Sequence, residues 1–408
     1  MKDGQTTSGG TGRQRFRNAL VVVEMALAVV LLVGAGLMIR SLWSLSRVPL
    51  GLDPTNVLTM RLALPQASYQ KPEEVVTFYQ QLIERVRRVP GVQSAGMIRS
   101  LPLGSTIGDS GVMVDGYVPP PGVFAKGDWQ IATDGYIESM GERILRGRAF
   151  TDADRTGTQL VAMVNEEMAR RYWPGRDALG GRFRLRPKSQ WVTVVGIVAD
   201  VKHNGITGVV KEKFYVPHTQ WHVSVGNAIR SMSLIIKASG DPLALVGQVR
   251  REIGALDPSL PVADVRTMKD VVGATMSTPR FTGVLMMVFA GLAMALSAIG
   301  IYGVLSYVVS RRTREIGIRV AIGAGRSQIL RMVLGQGLML TATGVLIGVV
   351  GAVLAARLMQ SMLHGVTPRD PLTFAAVAAA LMVVAILASL VPALRATRVD
   401  PVVALKAE

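Results

Sequence analysis

The stretch SRRTREIGIRVAIGAGRSQILRMVL, residues 310–334, decides how this chain is organised. It contains six arginines and one glutamate, although long uncharged runs lie on both sides of it, at 281–310 and 332–356. Each run is longer than the roughly 20 apolar residues that a helix needs to cross the hydrocarbon core of a membrane. The stretch is therefore predicted to connect two membrane-spanning helices.

Two further apolar runs predict two more spans. The first, at 18–40, has Glu24 as its only charge before the closing arginine, and the last lies at 371–394. Four such runs in a chain of 408 residues favour membrane spans over buried core helices. The first run is interpreted as a span and not as a cleaved signal peptide, because it is longer than a usual signal core.

The distribution of arginine and lysine predicts the orientation of the spans. These residues are concentrated before the first run, within 310–334 and after the last run, as is typical of cytoplasmic segments. Both termini are therefore predicted to be cytoplasmic. The predicted order is a cytoplasmic tail at 1–17, a span at 18–40, an outer segment at 41–280, a span at 281–310, a cytoplasmic loop at 311–331, a span at 332–356, a short outer loop at 357–370, a span at 371–394 and a cytoplasmic tail at 395–408.

The outer segment has the pattern of a mixed α/β domain. A strand-like run at 57–65 precedes a helical pattern at 72–92, which starts with proline and two glutamates and ends at Pro-Gly. A similar strand, helix and strand return between residues 232 and 268. This repetition predicts a split β-α-β sheet layered with helices. The intervening stretch, 104–229, is predicted to be an inserted, mostly β subdomain.

The amino-acid composition of the chain limits the classes of partner that are expected. The net charge is +17, which in a soluble protein suggests nucleic-acid binding. Here the arginines crowd beside apolar runs, so membrane orientation accounts for many of them, and no nucleic-acid partner is predicted. The chain contains no cysteine, which excludes disulfides and thiol chemistry.

No sequence motif in the chain carries an obvious chemistry. The dipeptide Gly-Lys, which a phosphate-binding loop requires, does not occur, so the chain is predicted neither to hydrolyse ATP nor to be an enzyme. His218 and His222 have a metal-like spacing, with His203 upstream, but acidic residues that would complete a zinc site are missing nearby. We interpret these histidines as core or surface side chains and predict no metal site.

Two features lie inside the apolar runs. Glu24 is an intramembrane carboxylate, and such groups are costly in lipid. We interpret it as structural or interfacial, with Arg17 as a candidate partner, and consider proton or substrate handling the weaker alternative. Gly344, Gly348 and Gly351 recur at helical intervals, and small residues let helices approach closely, so helix packing is favoured over a ligand site.

The arginine-rich stretch itself is predicted to contain a short helix. Its alternating pattern favours a strand on period alone, but a lone strand at a membrane surface would leave its backbone groups unpaired. In a helix, Ile316, Val320 and Gly323 share one face. Another face would carry ion pairs four residues apart, worth about 0.3–0.5 kcal/mol each, among Arg311, Glu315 and Arg319. Such a helix either lies on lipid or docks in a groove of a partner; a purely orienting loop is the remaining alternative.

The sequence resembles MacB/FtsX-type ABC transporter permeases. The resemblance rests on RTREIGIRVAIGAGRSQILRMVL (312–334) and on the tail PALRATRVDPVVALKAE (392–408). VNEEMARRYWPGRDALGGRF (164–183) and VVGIVADVKHNG (194–205) resemble the periplasmic core domain of the same family. The opening, 13–43, looks most like the start of the second half of the duplicated orphan permeases. No ATPase domain is present, so the chain is either a stand-alone half-size permease or part of a duplicated one.

The resemblance implies a bacterial inner-membrane protein with a periplasmic domain of porter-like and sabre-like parts. It implies no cofactor in this chain, because ATP would be bound by a separate ATPase subunit. It also implies a second permease copy, as a homodimer or pseudo-dimer, a periplasmic adaptor, and contact with membrane lipid. The residues expected to form the coupling helix that rests on the ATPase are Arg314, Glu315, Ile316, Gly317, Arg319, Val320 and Gly323.

The resulting functional hypothesis is a permease subunit that transmits ATP-driven motion to its periplasmic domain for efflux or export. The alternative is a membrane-anchored signalling or scaffold protein that regulates a periplasmic partner. An ion-coupled transporter is a weaker rival, because Glu24 alone supports it and no inverted repeat is evident.

Overall fold

A computed structural model describes residues 9–322, 324–360 and 363–398. The chain forms two compact units. One is helical and combines the residues up to Arg47 with those from Ser277 onward, and the other is an α/β unit that spans Val48–Met276.

Eleven α-helices lie in the described residues, and a 3-10 helix at Pro242–Leu245 precedes the sixth. In chain order they are α1 (Gly9–Leu45), α2 (Pro72–Arg87), α3 (Tyr136–Met140), α4 (Glu166–Tyr172), α5 (His218–Val225), α6 (Val246–Leu256), α7 (Met268–Thr275), α8 (Ser277–Arg311), α9 (Thr313–Ala321), α10 (Arg326–Leu358) and α11 (Pro371–Ala396).

The described strands all belong to the α/β unit and to one sheet. In chain order they are β1 (Val57–Ala63), β2 (Val92–Ile98), β3 (Asp109–Gly111), β4 (Met113–Val114), β5 (Lys126–Ala132), β6 (Ile144–Gly147), β7 (Val161–Asn165), β8 (Arg182–Arg184), β9 (Val192–Val198), β10 (Lys213–Pro217), β11 (Ser231–Ala238) and β12 (Val262–Thr267).

The helical unit is built from α1, α8, α10 and α11. In the described chain these four helices are long and apolar enough to cross a membrane. Helix α1 packs against the other three, and α11 closes the bundle by contacting α8 and α10. Met25, Leu305 and Leu381 are fully buried in its core. The predicted fold class, four apolar helices with a large α/β domain, is confirmed.

The first part of the sheet has the split β-α-β arrangement that the sequence predicts. Strands β12, β1, β11 and β2 lie side by side in that order, and every neighbouring pair is antiparallel. Helices α2 and α6 pack against each other. Helix α2 starts at Pro72 with two acidic residues in its first turn and buries one apolar face, which includes Tyr79 and Leu82.

The stretch predicted as an inserted subdomain continues the same sheet. Strand β5 joins β2 at the pair Ile98 and Ala132, and β10, β7, β9, β8 and β4 follow in that order. The stretch is rich in β-strands, as predicted, and it also carries the short helices α3, α4 and α5. One hydrophobic core runs beneath both parts and contains Met60 and Phe214. The two parts therefore form one unit.

Candidate functional site

Helix α9 is the centre of the candidate site. Helix α8 ends at Arg311, the backbone bends at Arg312, and α9 begins at Thr313. The Thr313 hydroxyl donates to the carbonyl oxygens of Ser310 at 2.8 Å and Val309 at 3.1 Å, which holds the bend. The helix expected for this stretch is present, and the strand suggested by its alternation is not formed.

The inward face of α9 carries the residues that we expected on its outward face. Ile316 is only 1% exposed and belongs to the bundle core together with Ile329 and Val333 of α10. Gly317 is also buried, and Val320 packs against the same core. The expectation that Ile316 faces a partner is therefore wrong, because the chain's own bundle covers it, whereas Val320 is half-buried against the same core.

The outward face carries two other isoleucines, which the sequence reasoning did not select. Ile318 is 42% exposed and Ile322 is 82% exposed. Ile322 directly follows the last residue of α9, and its amide donates to the Ile318 carbonyl at 3.0 Å, so the two residues, four apart, lie on one side. The alternation in EIGIRVAIG contained the signal, since it places isoleucines on both sides of a helix instead of one. Arg314 is exposed nearby.

Charges on α9 are arranged around Glu315. Its carboxylate accepts a hydrogen bond from Arg319 Nη2 at 2.6 Å and lies 3.8 Å from Arg312 Nε. The expected pair with Arg311 is wrong, because the bend at Arg312 takes Arg311 off the helix that carries Glu315. The Arg311 guanidinium instead lies 5.3 Å from the ring centre of Tyr307.

A short connection joins the end of α9 to the start of α10. The Ala324 amide donates to the Arg319 carbonyl at 2.8 Å, and Gly325 is the residue that precedes the first turn of α10. Gly323, which we assigned to the coupling helix, lies outside the described residues.

Glu24 lies in the bundle without the expected arginine partner. The Arg17 guanidinium is placed over the Tyr307 ring, 4.3 Å from its centre. Glu24 Oε2 is buried and has no hydrogen-bond partner in the described part of the chain. It lies beside Gly300 of α8, where an added Cβ would be 2.7 Å from this oxygen. A side chain at position 300 would therefore have to displace the Glu24 carboxylate.

The glycines of α10 lie against α1. A Cβ at Gly344 would be 2.5 Å from the Met25 Cβ, and one at Gly348 would be 2.6 Å from the Val29 Cβ. At Gly351 the corresponding distance to Val30 Cγ2 is 3.2 Å. The two helices can approach this closely at Gly344 and Gly348 because neither residue has a side chain.

Comparison with known families defines the class of protein. Residues 19–256 match the MacB-like periplasmic core domain, and residues 287–401 match the FtsX-like permease C-terminal domain. Since the described residues also include four helices long and apolar enough to cross a membrane, the protein is a membrane permease of the ABC type. The first match covers more than half of the chain, so the chain belongs to the family of the MacB-like periplasmic core domain. The family resemblance stated from the sequence is confirmed.

Two bacterial relatives align with about two thirds of this chain. The ABC transporter permease YknZ of Bacillus subtilis is 24% identical over 67% of this chain and 68% of its own length. The macrolide export ATP-binding/permease protein MacB of Wolinella succinogenes is 26% identical over 64% of this chain. That alignment covers only 41% of MacB.

Solved structures with a related shape include the periplasmic region of MacB from Actinobacillus actinomycetemcomitans. It is 14% identical, covers 56% of this chain and 95% of its own, and has a TM-score of 0.39. The extracellular domain of YknZ gives 15% identity and a TM-score of 0.34 over 51% of this chain.

Proposed function

We propose that this chain is the membrane subunit of an ABC transporter and that α9 receives the motion of a separate ATPase subunit. The observation that carries the proposal is the division of α9 into two faces. Ile316 fixes the helix to the bundle core, while Ile318 and Ile322 remain on the outside with Arg314 beside them. An apolar pair with cationic neighbours is suited to a groove with an acidic rim on a protein partner.

The names of the relatives support a partner that binds ATP. MacB of Wolinella succinogenes is described as an ATP-binding/permease protein, so in that relative both functions occur in one polypeptide. This chain lacks the Gly-Lys step of a phosphate-binding loop. In the proposed complex the partner therefore holds ATP, and this chain contributes no cofactor site.

Motion of the partner would enter the bundle through two connections. Helix α9 is joined directly to α8, and its buried Ile316 contacts the core that includes Ile329 of α10. A displacement of α9 would therefore act on two spans at once. Along the chain, α8 follows the α/β unit, which would respond by moving a substrate outside the membrane. Efflux or export is the proposed output.

The proposed setting is the bacterial inner membrane, with both termini and α9 cytoplasmic and the α/β unit periplasmic. The arginines near α9 support this orientation, since cytoplasmic loops carry the excess of positive charge. A second permease copy and a periplasmic adaptor complete the proposed assembly. The proposal also includes the limits of the spans and loops that were predicted from the sequence.

The proposal is tested by site-specific crosslinking in the bacterium that produces the chain. A photoreactive phenylalanine analogue would replace Ile322 in one variant and Val209, which is 88% exposed on the α/β unit, in a control variant. We expect the Ile322 variant, and not the Val209 variant, to crosslink to a polypeptide with a phosphate-binding loop, identified by mass spectrometry. Crosslinks from position 322 to lipid alone, or to a polypeptide without such a loop, would overturn the proposal.

A further inference from the structure

A pocket in the α/β unit lies far along the chain from α9. Its volume is about 660 Å³, within the range of pockets that bind small molecules. The pocket is lined mainly by apolar side chains, which include Val112, Val114, Tyr117, Phe124, Leu185 and Trp191. Two segments build it, one around β4 and one that follows β8.

The pairing of β4 with β8 explains how arginine reaches this apolar pocket. Met113 is paired with Arg184, and Val114 is paired with Phe183. Phe183 is fully buried in the core. Neighbouring residues of a strand point to opposite faces, so Arg184 lies on the face away from that core and lines the pocket.

The guanidinium groups at the pocket differ in their partners. Arg182 is paired with Asp115 at 2.7 Å. Arg184 and Arg186 also belong to this region, and among the described residues neither has a carboxylate within ion-pair distance. Arg184 Nε is buried and has no hydrogen-bond partner, while its guanidinium lies 4.8 Å from the ring centre of Trp191.

A buried N–H group without an acceptor is costly, and native proteins rarely keep one without a reason. The exposure of apolar side chains to water at the pocket has a second free-energy cost. Phe124 is 84% exposed and Trp191 is 37% exposed, although both are large aromatic residues. A ligand with an anionic group and an apolar body would remove both costs together.

We infer that this pocket binds an amphiphilic anion with a single acyl chain. The carboxylate of the ligand would accept hydrogen bonds from Arg184 Nε and from the Arg186 guanidinium. The chain would lie against Met113, Phe124 and Trp191, which line the pocket and are partly or largely exposed, and would displace water from them. The unpaired positive charge at an apolar pocket favours this occupant over a neutral or cationic amphiphile. The inference does not depend on the partner proposed for α9.

The test uses the full chain in nanodiscs of phosphatidylcholine. The probe is dodecanoate with a diazirine in its chain, and two comparison probes carry the same chain with an alcohol or a trimethylammonium group. We expect saturable labelling within 111–125 or 184–191, mapped by mass spectrometry, that unlabelled dodecanoate prevents. The alcohol and the ammonium probe should label these segments at least about tenfold less.

Two variants link the labelling to the pocket. Arg184→Gln should weaken the apparent affinity for the dodecanoate probe about tenfold, because it removes the buried cationic donor. The control Arg146→Gln alters an exposed arginine that is paired with Asp177, and it should leave the affinity unchanged. Met113→Trp, at the position paired with Arg184 on the pocket face, should reduce labelling by filling the pocket.

The inference would be overturned by equal labelling with all three probes, or by affinity that Arg184→Gln leaves unchanged. Labelling restricted to the membrane helices would also overturn it. If the dodecanoate probe does not saturate the site and an acidic protein segment binds there instead, the pocket is a protein-docking surface and the inference is wrong. Intrinsic tryptophan fluorescence of each variant would establish that the α/β unit remains folded.

Discussion

The two units of this molecule bury different kinds of residues. In the α/β unit the fully buried side chains include large aromatics such as Tyr79, Tyr136 and Phe183. In the helical unit Gly344 and Gly348 lie at a helix contact, and large apolar residues such as Leu346 remain outside. Lipid is as apolar as leucine, so close packing, and not removal of apolar surface from water, must hold a membrane bundle together.

Two buried carboxylates, one in each unit, differ in their hydrogen-bond partners. In the α/β unit, Glu142 is buried but accepts hydrogen bonds from the Tyr136 hydroxyl at 2.5 Å and the Tyr215 hydroxyl at 3.2 Å. Burial raises the pKa of Glu142, and burial lowers the pKa of the neighbouring Lys213. In the helical unit, Glu24 Oε2 is buried without a partner. Both oxygens of Glu142 are thus hydrogen-bonded, whereas one oxygen of Glu24 is unpaired.

The largest loss of stability is expected from replacing a glycine of the helical bundle. Gly348→Leu should destabilise the helical unit by about 3 kcal/mol or more, since its first side-chain atom would already collide with Val29 of α1. Gly335→Leu is the matched control in the same helix, because a Cβ there meets nothing within 4 Å. Its effect should stay within about 1 kcal/mol. Thermal unfolding in detergent, followed by the helical circular dichroism signal, measures both.

An equal loss of stability in the two glycine variants would contradict the account of the bundle. It would mean that residue volume in α10 matters everywhere, and that the contacts at Gly344 and Gly348 have no special role.

A smaller effect, on the pH dependence of stability, is expected from the carboxyl pair Asp109 and Asp128 in the α/β unit. Burial, followed by the hydrogen bond that the protonated Asp128 carboxyl donates to Asp109, raises the pKa of Asp128 to about 6. A hydrogen bond from Lys126 is the main reason that the pKa of Asp109 falls to about 2. Because an unfolded aspartate has a pKa near 3.9, the folded state keeps a proton on Asp128 between about pH 4 and pH 6 that the unfolded state has lost. The contribution of this group to stability therefore decreases as the pH rises through that window.

Asp128→Asn should remove this dependence. The melting temperature of the variant, minus that of the natural chain, should increase between pH 4 and pH 6.5 and then level off. Lys126 and Lys211, which pair with Asp109, are about half exposed, so solvent weakens these interactions, and we expect about 1 kcal/mol, or about 2–4 °C. Asp152→Asn, at an exposed position, should show no such trend. Tryptophan fluorescence is a suitable probe, and a difference that is flat with pH would rule out a raised pKa for Asp128.

The sequence was informative wherever one physical rule acted alone. Apolar length identified the four long helices, and the repeated strand-helix-strand pattern identified the split sheet. It failed at α9, because apolar residues lie on both sides of that helix and only the bundle decides which side is covered. Ile316 and Ile318 look equivalent in the sequence, yet one is 1% exposed and the other 42%.

The pocket in the α/β unit could not be predicted for a different reason. It combines residues near Val114 with residues near Trp191, which the pairing of β4 and β8 brings together. No local pattern shows that Arg184 lacks an acceptor, since this depends on where every neighbouring carboxylate lies. The packing role of Gly348, in contrast, could be predicted from the sequence, because its helical spacing from Gly344 was sufficient to indicate it.

The central claim is that the outward face of α9 docks on an ATPase subunit, and the most direct measurement is the affinity of that complex. The full chain in nanodiscs would be titrated with the ATPase identified by crosslinking, comparing the natural chain, the double variant Ile318→Asp with Ile322→Asp, and the control Val209→Asp. All three should insert and fold alike, because these side chains are exposed in the described structure.

We expect the double variant to raise Kd at least about 100-fold, which corresponds to about 2.7 kcal/mol and is within reach of two isoleucines that become buried. The control should bind as the natural chain does. A Kd that the double variant leaves unchanged would contradict the account and leave the arginines of α9 as an orientation signal alone.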